Sequence, residues 1–487
     1  MRCRSSNIGL LCSVLFSLVI VPTAYAQLDW DNNVVVFGSE SNETQPIIAP
    51  TYNGQYRAFC IWQDNVLRTR RSLVSGEAWE ASDDQNLVGS SNSFAVTRDN
   101  EFTYIANRSR LTIFTIAHSQ LLWPDDNTIF LFDTSSYQAF DCDIVSDFNF
   151  DADDPFLHGC CLYLPHSGSL TLAYFRSEDR AQTFALIQSV DSMFSIQDSS
   201  ASVVTAVTWS GEEERIWLAL TTDRAGTTGE QIRLYASSDL GQSWATPVTP
   251  DSSTYAMMRP ALLGHGETIM LAYQRRSSAS IARDIFVVYS PDNGVSWSEP
   301  LQLTNSSFDD VEPTLTLSGD QIGLFYGRAQ AQEASGQLYF RQSSLTQPWI
   351  WTDEVNVSSP SEFILPEGYS ATGNDDGFAA VWSSRIVGDD GDILFDGSWR
   401  GTAVRQPSPN SRPTVSLQAN TLAGWIEISN PTGVRGMLVM YDILGRNVAR
   451  ASLASGENTW RLPVALPSGT YWLTHPEASA IRIQVLK

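Results

Sequence analysis

The stretches Ser237-Ser-Asp239-Leu-Gly241-Gln-Ser243-Trp244 and Ser290-Pro-Asp292-Asn-Gly294-Val-Ser296-Trp297 are two copies of one octapeptide, 53 residues apart. Each follows an apolar run (residues 232–235 and 285–289) and precedes a proline, Pro247 or Pro300. An internal period of that size marks one small β-unit built repeatedly. Gly241 and Gly294 can adopt positive φ in a tight loop, where the Asp carboxylate can accept backbone amides. The Trp that ends each copy then packs the hairpin into the neighbouring core.

Working outward from these copies, the same order of elements recurs seven times. Opening strands fall at residues 45–49, 93–97, 142–148, 202–208, 259–263, 312–316 and 369–372. Second strands fall at 56–62, 102–106, 170–175, 215–220, 268–273, 321–326 and 377–382. Degenerate octapeptides stand at 72–79, with Val74 in place of the Asp, and at 177–184, which keeps Asp179. Short strands with Gly and Asp turns at this period predict radial four-stranded blades. Residues 30–38 read as an outer strand without its own blade, and pairing it with the last blade would close the ring and cover both edges. The expected fold is all-β: a seven-bladed β-propeller over residues 27–405, followed by a small Ig-like β-sandwich. Six blades is the alternative, because the second repeat carries no recognisable octapeptide.

The flanks read differently. Arg2 and Arg4, an apolar run over 10–21 and Ala24-Tyr-Ala26 predict a secretory signal peptide over 1–26, too short to span a bilayer. No later stretch is long and apolar enough to cross, so no transmembrane segment is expected. Residues 406–413, Gln-Pro-Ser-Pro-Asn-Ser-Arg-Pro, predict a linker. Beyond it, alternating strands with Gly turns return over 414–487.

The octapeptide resembles the Asp-box, or BNR repeat, of sialidase-like β-propellers. In the tail, Met440-Tyr441-Asp442-Ile-Leu-Gly445-Arg446, then Leu466-Pro-Ser-Gly469-Thr-Tyr471, then a last strand ending at Lys487, resemble the type A sorting domain of type IX secretion cargo. That resemblance implies the type IX machinery as a partner, passage through the outer membrane, and a secreted or cell-surface location.

Of the 30 basic residues, Arg2 and Arg4 leave with the signal peptide, so 28 face 54 acidic residues, a formal charge of −26. A chain this anionic argues against nucleic acid and anionic membranes as partners. The only lysine is Lys487. Export permits disulfides among Cys60, Cys142, Cys160 and Cys161, with Cys142 to Cys160 or Cys161 the preferred pair and buried free thiols the alternative. No cofactor is expected, with calcium the alternative. Asp147, Asn149, Asp151 and Asp153 alternate as in a calcium loop but lack the central glycine and closing glutamate, and no His pair has metal spacing.

The sialidase resemblance implies a test of catalysis. In that family three arginines hold the substrate carboxylate, a tyrosine polarised by a glutamate attacks, and an aspartate serves as acid and base, an exception to the two-carboxylate rule. Here the segment Gly368-Tyr369-Ser370 resembles that of the nucleophile, and Asp64 falls near the place of the acid/base aspartate. Arg68 lies in the strand entering the first degenerate box. The leading arginine of the Arg-Ile-Pro motif is missing, since the matching segment is Thr44-Gln45-Pro46. Arg259 is the positional candidate for another arginine, with Arg275 or Arg276 as alternatives. A site without its full set of bidentate partners binds an anion poorly. The expected role is non-catalytic binding of extracellular glycan or protein. The alternatives are a divergent exo-sialidase using Tyr369 and Asp64, and a structural surface component.

Overall fold

The computed structural model describes Trp30, the strands and many of the turns between residues 34 and 399, and seven strands between 419 and 485. The signal-peptide and linker segments lie outside the described residues. Among those described there is no helix.

Strand pairing gives seven blades. The first is Glu43–Pro50, Tyr56–Trp62 and Val66–Val74, edged by Ala78–Trp79 and Asp83–Asn86. Its successor, which carries no octapeptide, is Phe94–Arg98, Phe102–Asn107, Thr112–Ala117 and Thr128–Phe130. The third is Tyr137–Ser146, Leu157–Pro165, Leu170–Ser177 and Ala185–Phe194. The fourth has Ser202–Ser210, Glu213–Thr222 and Gln231–Ser237, with a single bridge from Leu234 to Val248 as its outer edge. Met257–His265, Thr268–Arg276, Arg283–Ser290 and Leu301–Gln302 form the fifth. Asp309–Ser318, Gln321–Ala329, Ser335–Ser344 and Val355–Asn356 form the sixth. The seventh is Tyr369–Asn374, Gly377–Ser384 and Asp392–Trp399, and its fourth strand is Val34–Phe37 from the start of the chain.

One expected position is corrected. Residues 170–175 form the third strand of their blade, not the second; the second is Leu157–Pro165. The long acidic stretch after Ser146 hid that strand by displacing it ten residues downstream.

Each inner strand touches the next around the ring, and the last touches the first. They are linked by side chain to backbone bonds rather than ladders: Asp141 Oδ2 accepts from the Val203 amide at 2.9 Å, and Asp143 Oδ2 from that of Thr205 at 2.7 Å. Across the closure, the Ser383 hydroxyl donates to the Glu43 carbonyl at 3.0 Å. Seven apolar clusters fill the seven gaps between neighbouring blades. The core is therefore a ring of interfaces, and burial of these wedges is what holds the blades together.

The octapeptides share one bonding pattern. Ser237 Oγ accepts from the Gly241 amide at 2.9 Å and donates to Asp239 Oδ1, which accepts from the Ser243 amide at 2.8 Å. Ser290, Asp292 and Ser296 repeat this, as do Ser177, Asp179 and Thr183. Gly241 and Gly294 take φ of 81° and 83°. A Cβ on them would meet Tyr174 and Trp217 at 2.1 Å, so glycine answers a close approach as well as a dihedral. Those two rings belong to the preceding blade, and Trp244 and Trp297 stand edge-on to them at 5.4 and 6.1 Å. Even the degenerate copy at 72–79 keeps this contact, with Trp79 edge-on to Phe395 at 5.3 Å.

Cys60, Cys142, Cys160 and Cys161 are free and buried, so the preferred disulfide gives way to the thiol alternative. Alternation along the strand sends Cys161 with Cys142 into the core between the second and third blades and Cys160 into the next core.

The C-terminal strands form two antiparallel sheets. One is ordered Ala419–Leu422, Trp425–Asn430, Gly456–Arg461; the other Asn447–Leu453, Gly436–Asp442, Gly469–His475, Ala478–Val485. Tyr441 and Asp442 end one strand, and Gly469 and Tyr471 begin another. Gly445, Arg446 and Lys487 lie outside the described residues.

Candidate functional site

Because strands within a blade alternate in direction, all inner strands begin at one face of the ring. The octapeptides, which follow third strands, lie at the other. The starting face carries a repeated irregularity: Gln45, Arg259 and Glu312, each before a proline, have φ of 53°, 52° and 54° and interrupt the ladder as bulges. Proline donates no hydrogen bond, so a bulge is where it fits in a paired strand.

Tyr369 begins the inner strand of the seventh blade and is 8% exposed. Its hydroxyl donates to the carbonyl of Glu312 in the sixth blade's bulge, with Thr314 Oγ1 at 3.3 Å. Burial pushes this phenol far above its ordinary range. A nucleophilic phenol needs a base at its oxygen and access to substrate; this one has backbone and a hydroxyl beside it. Asp64 lies outside the described residues.

The candidate arginines have other partners. Arg68 sits on the third strand of the first blade, forked onto Asp84 at 2.8 and 3.1 Å, with Glu43 at 3.7 Å. Arg275 pairs with Asp251 and lies over the Phe286 ring at 3.7 Å. That pair lines an open cleft of about 470 Å³ together with Ser253, Trp297 and Glu299. Arg328 joins Asp310 and Glu354, and Arg176 joins Glu178. Arg259 is half-buried within its bulge. Arg68 and Tyr369 are thus committed to separate partners, on the third strand of one blade and the inner strand of another.

What the starting face does offer is exposed aromatic surface. Tyr255, two residues before Met257–His265, is 39% exposed, and Phe308, one before Asp309–Ser318, is 41% exposed. Both precede inner strands of adjacent blades.

On the opposite face the fold gathers three ligand-type side chains that the sequence kept apart. Asp147 follows the third blade's inner strand and His158 lies on its second strand, where it pairs with Val145. Glu214 comes from the first hairpin of the fourth blade. His158 Nε2 is 2.7 Å from Glu214 Oε1 and 4.0 Å from Asp147 Oδ2, and its Nδ1 is 2.6 Å from the Tyr174 hydroxyl. Burial pulls the imidazole towards neutrality, but Asp147 and Glu214 outweigh it and raise its pKa; burial raises Asp147 as well. Asp147 heads the alternating acidic stretch noted above, of which Asn149, Asp151 and Asp153 lie outside the described residues. No single-chain spacing could have found Glu214, because it arrives from the next blade.

No family model and no curated protein matches this chain. Among solved structures it is similar to an intramolecular trans-sialidase from Ruminococcus gnavus in complex with oseltamivir carboxylate, at 12% identity over 77% of this chain and 99% of that one, TM-score 0.39. It is similar also to a PL25 ulvan lyase, at 11% identity over 75% and 96%, TM-score 0.46. A third is an Aleuria aurantia lectin in complex with α-methyl-L-fucoside, at 13% identity over 67% and 99%, TM-score 0.38. The seven-bladed ring is established by this chain's own strand pairing.

Proposed function

We propose that this chain is an exported propeller protein that binds an extracellular glycan or protein partner at the face where the inner strands begin, without cleaving sugar. The observation that carries this reading is Tyr369: its side chain is buried and its hydroxyl donates to the backbone carbonyl of Glu312 in the neighbouring blade. Pairing of Arg68 and Arg275 with carboxylates supports it, because a neutralised guanidinium has little left for an anionic sugar. Tyr255 and Phe308 supply the aromatic area that recognition surfaces favour.

The octapeptides are Asp-boxes in this reading, which staple hairpins away from the binding face. Residues 1–26 are a secretory signal, and 414–487 are an Ig-like sorting domain read by the type IX machinery, which places the mature propeller outside the cell. Support comes from the motifs around Tyr441 and Gly469 and from the two antiparallel sheets of the tail.

A fluorogenic sialoside and a glycan array test the proposal together. No turnover is expected, and Tyr255→Ala with Phe308→Ala is expected to abolish array binding while leaving the far-UV spectrum intact. Turnover by the wild-type chain that disappears in Tyr369→Phe would replace this reading with the exo-sialidase alternative. Truncation after Pro413 is expected to trap the propeller in the periplasm of a type IX-competent host; normal release would remove the sorting role.

A further inference from the structure

We propose that Asp147, His158 and Glu214 bind one divalent transition-metal ion, zinc above all, which staples the third blade to the fourth on the face opposite the inner-strand starts. The three side chains are 8%, 0% and 7% exposed, and their ligand atoms lie within 4.8 Å of one another. Two carboxylates this deep cannot stay ionised side by side without a positive charge between them. A proton on His158 or a metal ion would supply it, and a proton on one carboxyl would remove the need.

Two observations favour the metal. First, the 2.7 Å contact from His158 Nε2 to Glu214 Oε1 is not aligned as a hydrogen bond, and His158 Nε2, Asp147 Oδ1 and Glu214 Oε1 are all buried without a hydrogen-bond partner. An imidazolium held by two carboxylates would aim its N–H at one of them. Second, the other imidazole nitrogen is already engaged: Nδ1 is 2.6 Å from the Tyr174 hydroxyl. With the proton on Nδ1 donated to Tyr174, Nε2 keeps its lone pair for a metal ion beside the two carboxylates, and an outer partner of this kind is what orients a metal-bound histidine.

One imidazole and two carboxylates suit zinc and its first-row neighbours, whereas calcium and magnesium select all-oxygen sets. The two negative charges match the ion's two positive ones. Zinc bonds of roughly 2.0–2.2 Å hold ligand atoms no more than about 4.4 Å apart, so the carboxylates close slightly on loading. The consequence is mechanical. Tyr174, which orients His158, is also the ring against which Gly241 and Trp244 of the fourth blade pack. Metal and octapeptide therefore clamp the same seam.

The test uses the full mature chain, stripped with chelator and then titrated with zinc, with cobalt as a spectroscopic stand-in. One equivalent of zinc, a visible cobalt band displaced by zinc, and a higher unfolding midpoint in the zinc-loaded protein are expected. Glu214→Gln keeps the shape of the side chain; it should retain the wild-type far-UV spectrum and bind zinc at least roughly 100-fold more weakly, since loss of an outer partner alone costs about 10- to 100-fold. Uptake below stoichiometry for both zinc and cobalt would overturn the proposal and leave a proton, on His158 or a carboxyl, in place of the metal. Stoichiometric calcium binding without zinc binding, or unchanged zinc affinity in Glu214→Gln, would overturn it as well.

Discussion

The hydroxyl of Tyr369 in the seventh blade donates to the backbone carbonyl of Glu312 in the sixth. Glu312 has a φ of 54°, in the left-handed region, and Pro313 follows it, so the ladder to Gln321–Ala329 breaks here. The phenol therefore meets a carbonyl at an irregular point of the neighbouring strand. The bond thus joins the inner strands of the sixth and seventh blades.

Removing that hydroxyl should cost stability and nothing else. Tyr369→Phe removes the hydrogen bond from a buried phenol to the Glu312 carbonyl, at a cost of about 1–2 kcal/mol. Urea denaturation is the measurement. A midpoint equal to wild type would mean that the phenol has no structural task and would reopen the catalytic reading.

The glycine of each intact octapeptide should tolerate no side chain. Gly241→Ala combines a φ of 81° with a Cβ 2.1 Å from the Tyr174 ring, and Gly294→Ala repeats this against Trp217. Backbone strain and overpacking together cost on the order of 2–5 kcal/mol. Thermal unfolding should show both variants well below wild type. Gly266→Ala is a useful contrast: it shares a positive φ of 52° but nothing lies within 4 Å of the new Cβ, so only the strain component is expected.

This contrast also shows what was legible in the sequence. The Ser-x-Asp-x-Gly-x-Ser-Trp spacing dictates a local loop, and the loop formed in each intact copy. Blade count was legible because each repeat opens on a short strand such as Ser202–Ser210, followed by one with an apolar run such as Glu213–Thr222. What the Trp packs against was not, since Tyr174 and Trp217 come from the preceding blade. The same limit hid the Asp147, His158 and Glu214 cluster, and it left the partner of Tyr369 unreadable. Residues brought together by closure of a ring share no periodicity along the chain.

Acid should loosen the sixth blade through Glu354. Its oxygens accept from Arg328 at 2.6 Å and from the Tyr326 hydroxyl at 2.7 Å. Arg328, against opposing burial, holds this carboxyl down from 4.5 to about 2. The folded value lies below the unfolded one, so the stabilisation is complete above about 4.5 and drains away as pH falls towards 2. Glu354 is 33% exposed, and screening reduces the contribution to on the order of 1–2 kcal/mol. Asp310, on the same guanidinium, is instead raised by burial and so works in the opposite sense. The stability gap between wild type and Glu354→Gln should therefore shrink between pH 7 and pH 3. An unchanged gap would assign the effect to packing alone.

Ring closure depends on a short stretch at the start of the described chain. Trp30, 6% exposed, stands 5.7 and 5.2 Å from Phe325 and Phe340 of the sixth blade. A few residues on, Val34–Phe37 completes the seventh blade against Asp392–Trp399, and Arg70 of the first blade donates to the Val36 carbonyl at 2.7 Å. One segment thus ties three consecutive blades. Trp30→Ala empties an aromatic-lined site and should cost about 3–5 kcal/mol. Deleting residues 27–38 removes the fourth strand of the last blade and bares its edge, so the product should associate through that edge. Sedimentation of the deletion variant decides the matter: a stable monomer with the wild-type unfolding midpoint would mean that the wedge interfaces alone hold the ring shut.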